Sequence, residues 1–255
     1  MITQVGITGA AGRIGSVLTA NLADKYKLTL FYREHKPVRT FGLKLVQADL
    51  SDEEQVEGIF DGLDAVIHLA ANPSPRAPWE SILTNNIIAT YNVYEEARRA
   101  GVSKIVFAST SHVTGLYEND EPYRSICSGY YDGLDPDQIP RITHAWPIRP
   151  DSLYGVSKAF GEVLGRYYAE AFGIETLCLR IGSFTGADRP INIRGFATLL
   201  AHSDCASLVN ACLRAKGMLF DVFYGVSANM WRFWDTSHAR DVLGWVPQVN
   251  AERFR

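Results

Sequence analysis

Tyr154-Gly155-Val156-Ser157-Lys158 sets a phenol and an ammonium four residues apart, on one face of a predicted helix start. A free tyrosine ionises near pH 10, too high for a base at neutral pH. A nearby ammonium favours the phenolate, and a fall of roughly two to three pH units would let it take a proton from an alcohol. A further polar element is Ser109-Thr110-Ser111-His112, which follows the apolar run Ile105-Val106-Phe107-Ala108. In parallel sheets the C-terminal strand ends face the ligand crevice, so a hydroxyl there could hold the reacting oxygen near Tyr154. A hydrolase built on Ser111 and His112 is a poor reading, because adjacent side chains diverge and no GxSxG turn occurs.

The residues that would position this chemistry begin at Thr8-Gly9-Ala10-Ala11-Gly12-Arg13-Ile14-Gly15, between a short apolar run at Gln4–Thr8 and a helical pattern at Ile14–Ala23. Glycines there permit a tight turn and close approach of backbone to a pyrophosphate, and the helix start offers free N–H groups. The spacing is GxxGxxG. The second strand, predicted at Lys27–Tyr32, ends Tyr32-Arg33-Glu34-His35-Lys36. An acid at that end holds an adenosine ribose, whereas an arginine accommodates a 2′-phosphate. With Tyr32 in the acid's place and Arg33 and Lys36 beside it, NADP is the expected cofactor and NAD, through Glu34, the alternative.

Alternating strand and helix patterns continue at Leu43–Val46, Asp64–Leu69, Asn86–Ala100, Lys104–Ala108, Ser157–Phe172 and Glu175–Ile181. Repeated βα units of this kind predict an α/β fold, a doubly wound parallel sheet of the Rossmann type. Residues 1–183 read as the dinucleotide-binding domain and residues 184–255 as a small C-terminal substrate-binding lobe, with return elements packing on the sheet. Residues 116–150 have no clear period and read as a long functional loop. The 255 residues suffice for a core without staples, and the four scattered cysteines read as thiols in a reducing compartment. The six histidines show no metal-ligand spacing, so no metal is expected. A net charge of −3 with dispersed Lys and Arg gives nucleic acid no basic field. With no apolar run of membrane-spanning length and no basic leader before the glycine loop, cytoplasm is the expected compartment.

The sequence resembles the extended short-chain dehydrogenase/reductase superfamily. The motifs that carry this are TGAAGRIG at 8–15, ADLSD at 48–52, DAVIHLAA at 64–71, NNIIATYNVYEEA at 85–97, FASTSH at 107–112, YGVSK at 154–158 and LGWVP at 243–247. RAPWESILTNNI at 76–87, SLYGVSKAFGEVLGRYY at 152–168 and LRIGS at 179–183 narrow the likeness to uronate dehydrogenases and archaeal-type glucose-6-phosphate dehydrogenases. The resemblance implies Thr110 as catalytic hydroxyl, Tyr154 as base, and Lys158 as its activator and a ribose ligand. It implies Asp49 and Leu50 by the adenine, and Leu69, Ala70 and Ala71 under the cofactor. Asn86, opening the next helix, and Ile181 join the implied cofactor site with Gly9, Gly12, Arg13, Ile14, Gly15, Tyr32 and Arg33. Substrate contacts are implied for Ser74, Ser111, His112, Ser183 and Arg194, with Arg189 as a rival for the last.

The function expected from this is oxidation of C1 of a hexose derivative to its lactone, with Arg194 holding an anionic C6 group, carboxylate or phosphate. A nucleotide-sugar epimerase or dehydratase uses the same apparatus and is the alternative; a non-catalytic dinucleotide sensor is the third reading, with no need for Tyr154, Lys158 and Thr110 together. The expected partner is a small sugar, with no nucleic acid or membrane, in a homo-oligomer whose simplest form is a dimer.

Overall fold

Short apolar runs become the strands of one sheet that is parallel throughout. The structure, a computed structural model, describes residues 2–255. Its strands are β1 (Gln4–Thr8), β2 (Lys27–Tyr32), β3 (Lys44–Gln47), β4 (Ala65–His68), β5 (Lys104–Thr110), β6 (Glu175–Ile181) and β7 (Phe220–Gly225), in the order β3-β2-β1-β4-β5-β6-β7. β5 is buried at all seven positions, as expected when helices cover both faces and every residue must be accommodated in a core. The strand order reverses between β1 and β4, and a crevice opens there at the C-terminal strand ends.

Helix α1 (Arg13–Leu22) follows β1 and α2 (Glu53–Val56) follows β3, the latter capped by the Asp52 carboxylate, which accepts from the Glu54 N–H. The helix expected from Asn86 begins earlier. α3 (Trp79–Ile82) passes through a π-helical turn, Leu83–Ile88, into α4 (Ala89–Arg99) without a break. The helix expected from Ser157 also begins earlier, as α6 (Leu153–Phe172), because the Ser152 hydroxyl caps it by accepting from the Gly155 N–H at 3.2 Å. Tyr154 therefore sits in the first turn of that helix.

Residues 116–150 are better ordered than their composition suggests. They hold the end of a 3₁₀ turn (Ser111–Asn119), α5 (Tyr123–Ser128) and a second 3₁₀ turn (Pro136–Gln138). Tyr117, Tyr123, Ile126, Ile139 and Ile142 pack with Phe233 and Trp234 in a core of their own.

Residues 184–255 supply return elements that pack on the sheet. After α7 (Gly195–Thr198), α8 (His202–Arg214) packs on α1 and β7 completes the sheet beside β6. α9 (Ser237–Leu243) then brings Trp245 into the cluster that contains Val5, Ile7 and Leu18. The boundary expected at 183 thus cuts through one core. Its cause is Phe220-Asp221-Val222-Phe223-Tyr224-Gly225, whose acid and aromatics hid an edge strand. Among the described residues no helix is long and apolar enough to cross a membrane.

Candidate active site

A cleft of about 930 Å³ runs along the C-terminal ends of β1, β2, β4, β5 and β6. At one end lies the glycine loop. Gly9 has φ +65°, and a Cβ there would lie 2.9 Å from the Ala70 nitrogen; one on Gly15 would lie 2.6 Å from the Gly9 oxygen. Gly12 stands at the N-cap of α1 without a side-chain cap bond, so the first-turn N–H groups and the helix dipole remain available to an anion. This cradle fits the pyrophosphate of a dinucleotide.

The loop's floor is fixed by a buried relay. The Thr8 hydroxyl accepts from the Leu69 and Ala70 N–H groups, so its proton points to His68 Nδ1 at 2.8 Å, and His68 Nε2 donates to Thr90 Oγ1 at 3.2 Å. Burial pushes the His68 imidazole down to about 3, which keeps it neutral in this role.

At the adenosine end, Tyr32 is largely buried while Arg33 is half exposed and contacts three neighbours. Its Nη1 donates to Asn85 Oδ1 at 2.6 Å and lies 3.9 Å from Asp49, and its Nε pairs with Glu34 at 3.1 Å. Burial works to raise the Asp49 carboxyl, but hydrogen bonds from Ser51 and the Arg33 charge hold it below its ordinary value.

Deeper in the cleft, Thr110 at the end of β5 and the Tyr154 phenol line the same wall. Lys158 lies one helical turn on, its Nζ 4.8 Å from the Phe107 ring centroid and 6.0 Å from that of Tyr154. Burial dominates both groups. It pushes Tyr154 up to about 12, against the Thr110 hydroxyl, which favours the phenolate, and Lys158 down to about 7. In the protein alone the ammonium does not depress the tyrosine as its spacing suggested. The neutral pair and the phenolate–ammonium pair contain the same number of protons, so activation requires moving one proton rather than losing one. α6 is held against the sheet by a buried pair: Arg180 of β6 donates to both Glu162 oxygens at 2.9 Å, and Ser109 of β5 donates to the same carboxylate.

His112 Nδ1 lies 2.7 Å from Asp151 Oδ2, and its ring meets that of Tyr154 edge-on at 5.7 Å. Although burial raises Asp151, its contact with His112 helps hold the carboxyl below its ordinary value. All three nitrogens of the Arg194 guanidinium are hydrogen-bonded. Its Nε and Nη2 donate to the two Glu118 oxygens at 2.5 and 2.6 Å, and its Nη1 donates to Ser183 Oγ at 3.0 Å.

Of the residues singled out in the sequence, Gly9, Gly12, Arg13, Ile14, Gly15, Tyr32, Arg33, Asp49, Leu50, Leu69, Ala70, Ala71, Thr110, His112, Tyr154, Lys158, Ile181 and Ser183 line the cleft together. Four do not. Ser74 is exposed, its hydroxyl accepting from the Arg76 N–H, and Ser111 is buried beneath the wall. Arg194 stands one residue away, reaching the cleft through Ser183. Asn86 is buried and bonded to both backbone groups of Asn72 and to Ser157; the π turn presents Asn85 to the cleft instead. Asn85, Ser81, Asn72 and Phe184 line the site without having been anticipated. Asn85 belongs to the NN pair already noticed, but only the π turn decides which of the two faces inward. Elsewhere, His144, Asp221 and His238 gather from distant segments. The two imidazoles stack at 3.8 Å and His238 bonds Asp221, so their in-plane lone pairs run side by side rather than converging.

Residues 5–203 match the NAD dependent epimerase/dehydratase family. The NAD-dependent glucose-6-phosphate dehydrogenase of Haloferax volcanii is 37% identical over 261 residues, spanning 100% of this chain and 96% of that protein. The L-arabinose 1-dehydrogenase (NAD(P)(+)) of the same organism is 42% identical over 192 residues, 73% of this chain and 69% of that protein. The crystal structure of uronate dehydrogenase from Agrobacterium tumefaciens superposes with a TM-score of 0.81 at 38% identity, covering 99% of this chain and 87% of that one. Sheet, glycine cradle and these likenesses agree: the chain belongs to the NAD dependent epimerase/dehydratase family. Within it, the chain is a nicotinamide-dependent oxidoreductase acting on sugar CH–OH groups.

Proposed function

We propose that this enzyme oxidises the anomeric carbon of an aldose to the lactone, with Tyr154 as base. The observation that carries this is the meeting of Thr110, Tyr154 and the buried Lys158 in the same cleft as the glycine cradle. When bound, the nicotinamide supplies the hydride acceptor. Thr110 holds the C1 hydroxyl at the phenol oxygen. Tyr154 takes that hydroxyl's proton as C1 loses hydride and the C1–O bond becomes a carbonyl. Lys158 stabilises the phenolate that this requires. The wall formed by Ser183, Phe184 and His112 confines the sugar.

We also propose preference for NADP over NAD, supported by Arg33 at the adenosine end. A dimer is supported by apolar side chains left exposed on neighbouring helices: Ile88 and Tyr91 on the π turn and α4, and Val156, Val163 and Tyr167 along α6. An epimerase or dehydratase is the weaker reading, since the relatives named above are sugar dehydrogenases.

The test is reduction of NAD and NADP with a panel of aldoses, hexuronates and hexose 6-phosphates. Tyr154→Phe should lower turnover on the best substrate about 100-fold or more while retaining cofactor binding. Near-parental turnover in that variant would remove Tyr154 from the chemistry.

A further inference from the structure

Two groups at the sugar end could attract an anion, His112 on the cleft wall and Arg194 behind Ser183, and both already face a carboxylate. Arg194 is held by Glu118 in a two-pronged ion pair, with N···O distances of 2.5 and 2.6 Å. Its remaining nitrogen, Nη1, donates to Ser183 Oγ at 3.0 Å and approaches Thr198 Oγ1 at 3.5 Å. His112 is 2.7 Å from Asp151. Arg13, Arg33 and His35 line the cleft too, but beside the glycine loop and the end of β2, where the dinucleotide belongs.

The Arg194–Glu118 pair is not a loose surface contact. The side chains are 28% and 15% exposed, which places the pair in partial shelter from screening. The Cys127 thiol donates to Glu118 Oε2 at 3.5 Å, and the Trp234 ring lies 5.9 Å from the guanidinium carbon. A planar fork meeting a carboxylate through two parallel bonds is the strongest arrangement open to arginine. The Glu118 charge works with these bonds to hold the Arg194 guanidinium above its ordinary value, against burial.

Resting on the reading of the site as a C1 sugar dehydrogenase, we propose that Glu118 determines specificity by neutralising Arg194, and that the substrate is an uncharged aldose. A carboxylate or phosphate entering there finds Arg194, behind Ser183, already paired with Glu118, and His112 already paired with Asp151. To bind Arg194 it must displace Glu118 and leave that carboxylate partly buried and unpaired. An uncharged polyol loses nothing of this kind. Its hydroxyls can share the lone pairs and protons of Ser183, His112 and Thr110, all of which line the cleft. Rejection of the charged sugar is therefore built from repulsion as well as fit.

The experiment compares kcat/KM for stereochemically matched pairs, galactose with galacturonate and glucose with glucuronate and glucose 6-phosphate, in the parent and in Glu118→Gln. The parent should favour the uncharged member by at least tenfold. Glu118→Gln keeps the side-chain shape but releases the guanidinium charge, so the charged-to-uncharged ratio should rise at least tenfold, mainly through a lower KM for the charged sugar. Parental preference for a hexuronate or hexose 6-phosphate overturns the inference, whether or not the variant folds. So does a ratio that stays constant in a folded variant. If no sugar of any charge reduces NAD or NADP, the dehydrogenase reading falls and this inference falls with it.

Discussion

Lys158 is an ammonium-bearing side chain only 3% exposed, and burial brings it from 10.5 down to about 7. The folded protein therefore binds fewer protons than the unfolded chain between pH 7 and 10.5, and stability must rise with pH across that window. The full effect of roughly 3.5 pH units, at about 1.4 kcal/mol each, opposes folding by on the order of 5 kcal/mol at low pH and vanishes above pH 10.5. Lys158→Met keeps an unbranched chain of similar length and removes the charge. Urea unfolding at pH 7, 8 and 9 should find the variant more stable than the parent at pH 7 by several kcal/mol. That advantage should shrink by up to about 1.4 kcal/mol per pH unit as the parent gains stability. Turnover should fall at the same time, because nothing then supports a phenolate at Tyr154. A stability difference that is constant from pH 7 to 9 would refute the reasoning, since only titration of this one group makes it vary. Such an outcome would mean that Lys158 reaches water or a counter-charge.

Two further outcomes follow from charges described above. Arg33→Ala should weaken NADP binding selectively, by about 1.5–3 kcal/mol for a lost charge-assisted contact, as read by fluorescence titration of both cofactors; equal losses for NAD and NADP would dissociate Arg33 from the 2′ position. Glu162→Gln leaves the buried Arg180 without its partner and should destabilise by about 3–5 kcal/mol in denaturant unfolding, and a loss below about 1 kcal/mol would show that water or Tyr224 replaces the carboxylate.

Features set by neighbours in sequence were legible before the fold was known. The glycine cradle depends on a strand, a turn and a helix start within Gln4–Leu22, and Tyr154 and Lys158 are one helical turn apart, so spacing alone brings them together. Features set by distant segments were not. Arg194 was identified as an anion-binding group, yet the residue that decides its availability, Glu118, lies 76 positions earlier in a segment without periodicity. The resemblance placed Asn86 at the cofactor, and the extra residue of the π turn turns Asn85 to the cleft instead. β7 escaped notice because an edge strand needs only one well-buried stretch, here Phe223, Tyr224 and Gly225, and so lacks the continuous apolar run of β4 or β5.

The shared core that joins Val5 to Trp245 bears on how the protein comes into being on the ribosome. β1, the strand on which the glycine loop depends, is made early, but its helix α1 packs against α8, and its core includes Leu208, Phe223 and Trp245. At about 5–20 residues per second, the interval between residue 183 and residue 245 lasts on the order of seconds. During that time the face of α1 that packs on α8 is uncovered, although its inner side already meets Val5 and Ile7 of β1. A nascent chain halted at residue 183 would thus present an open sheet edge and an uncovered helix face to chaperones and proteases, rather than a finished dinucleotide-binding unit.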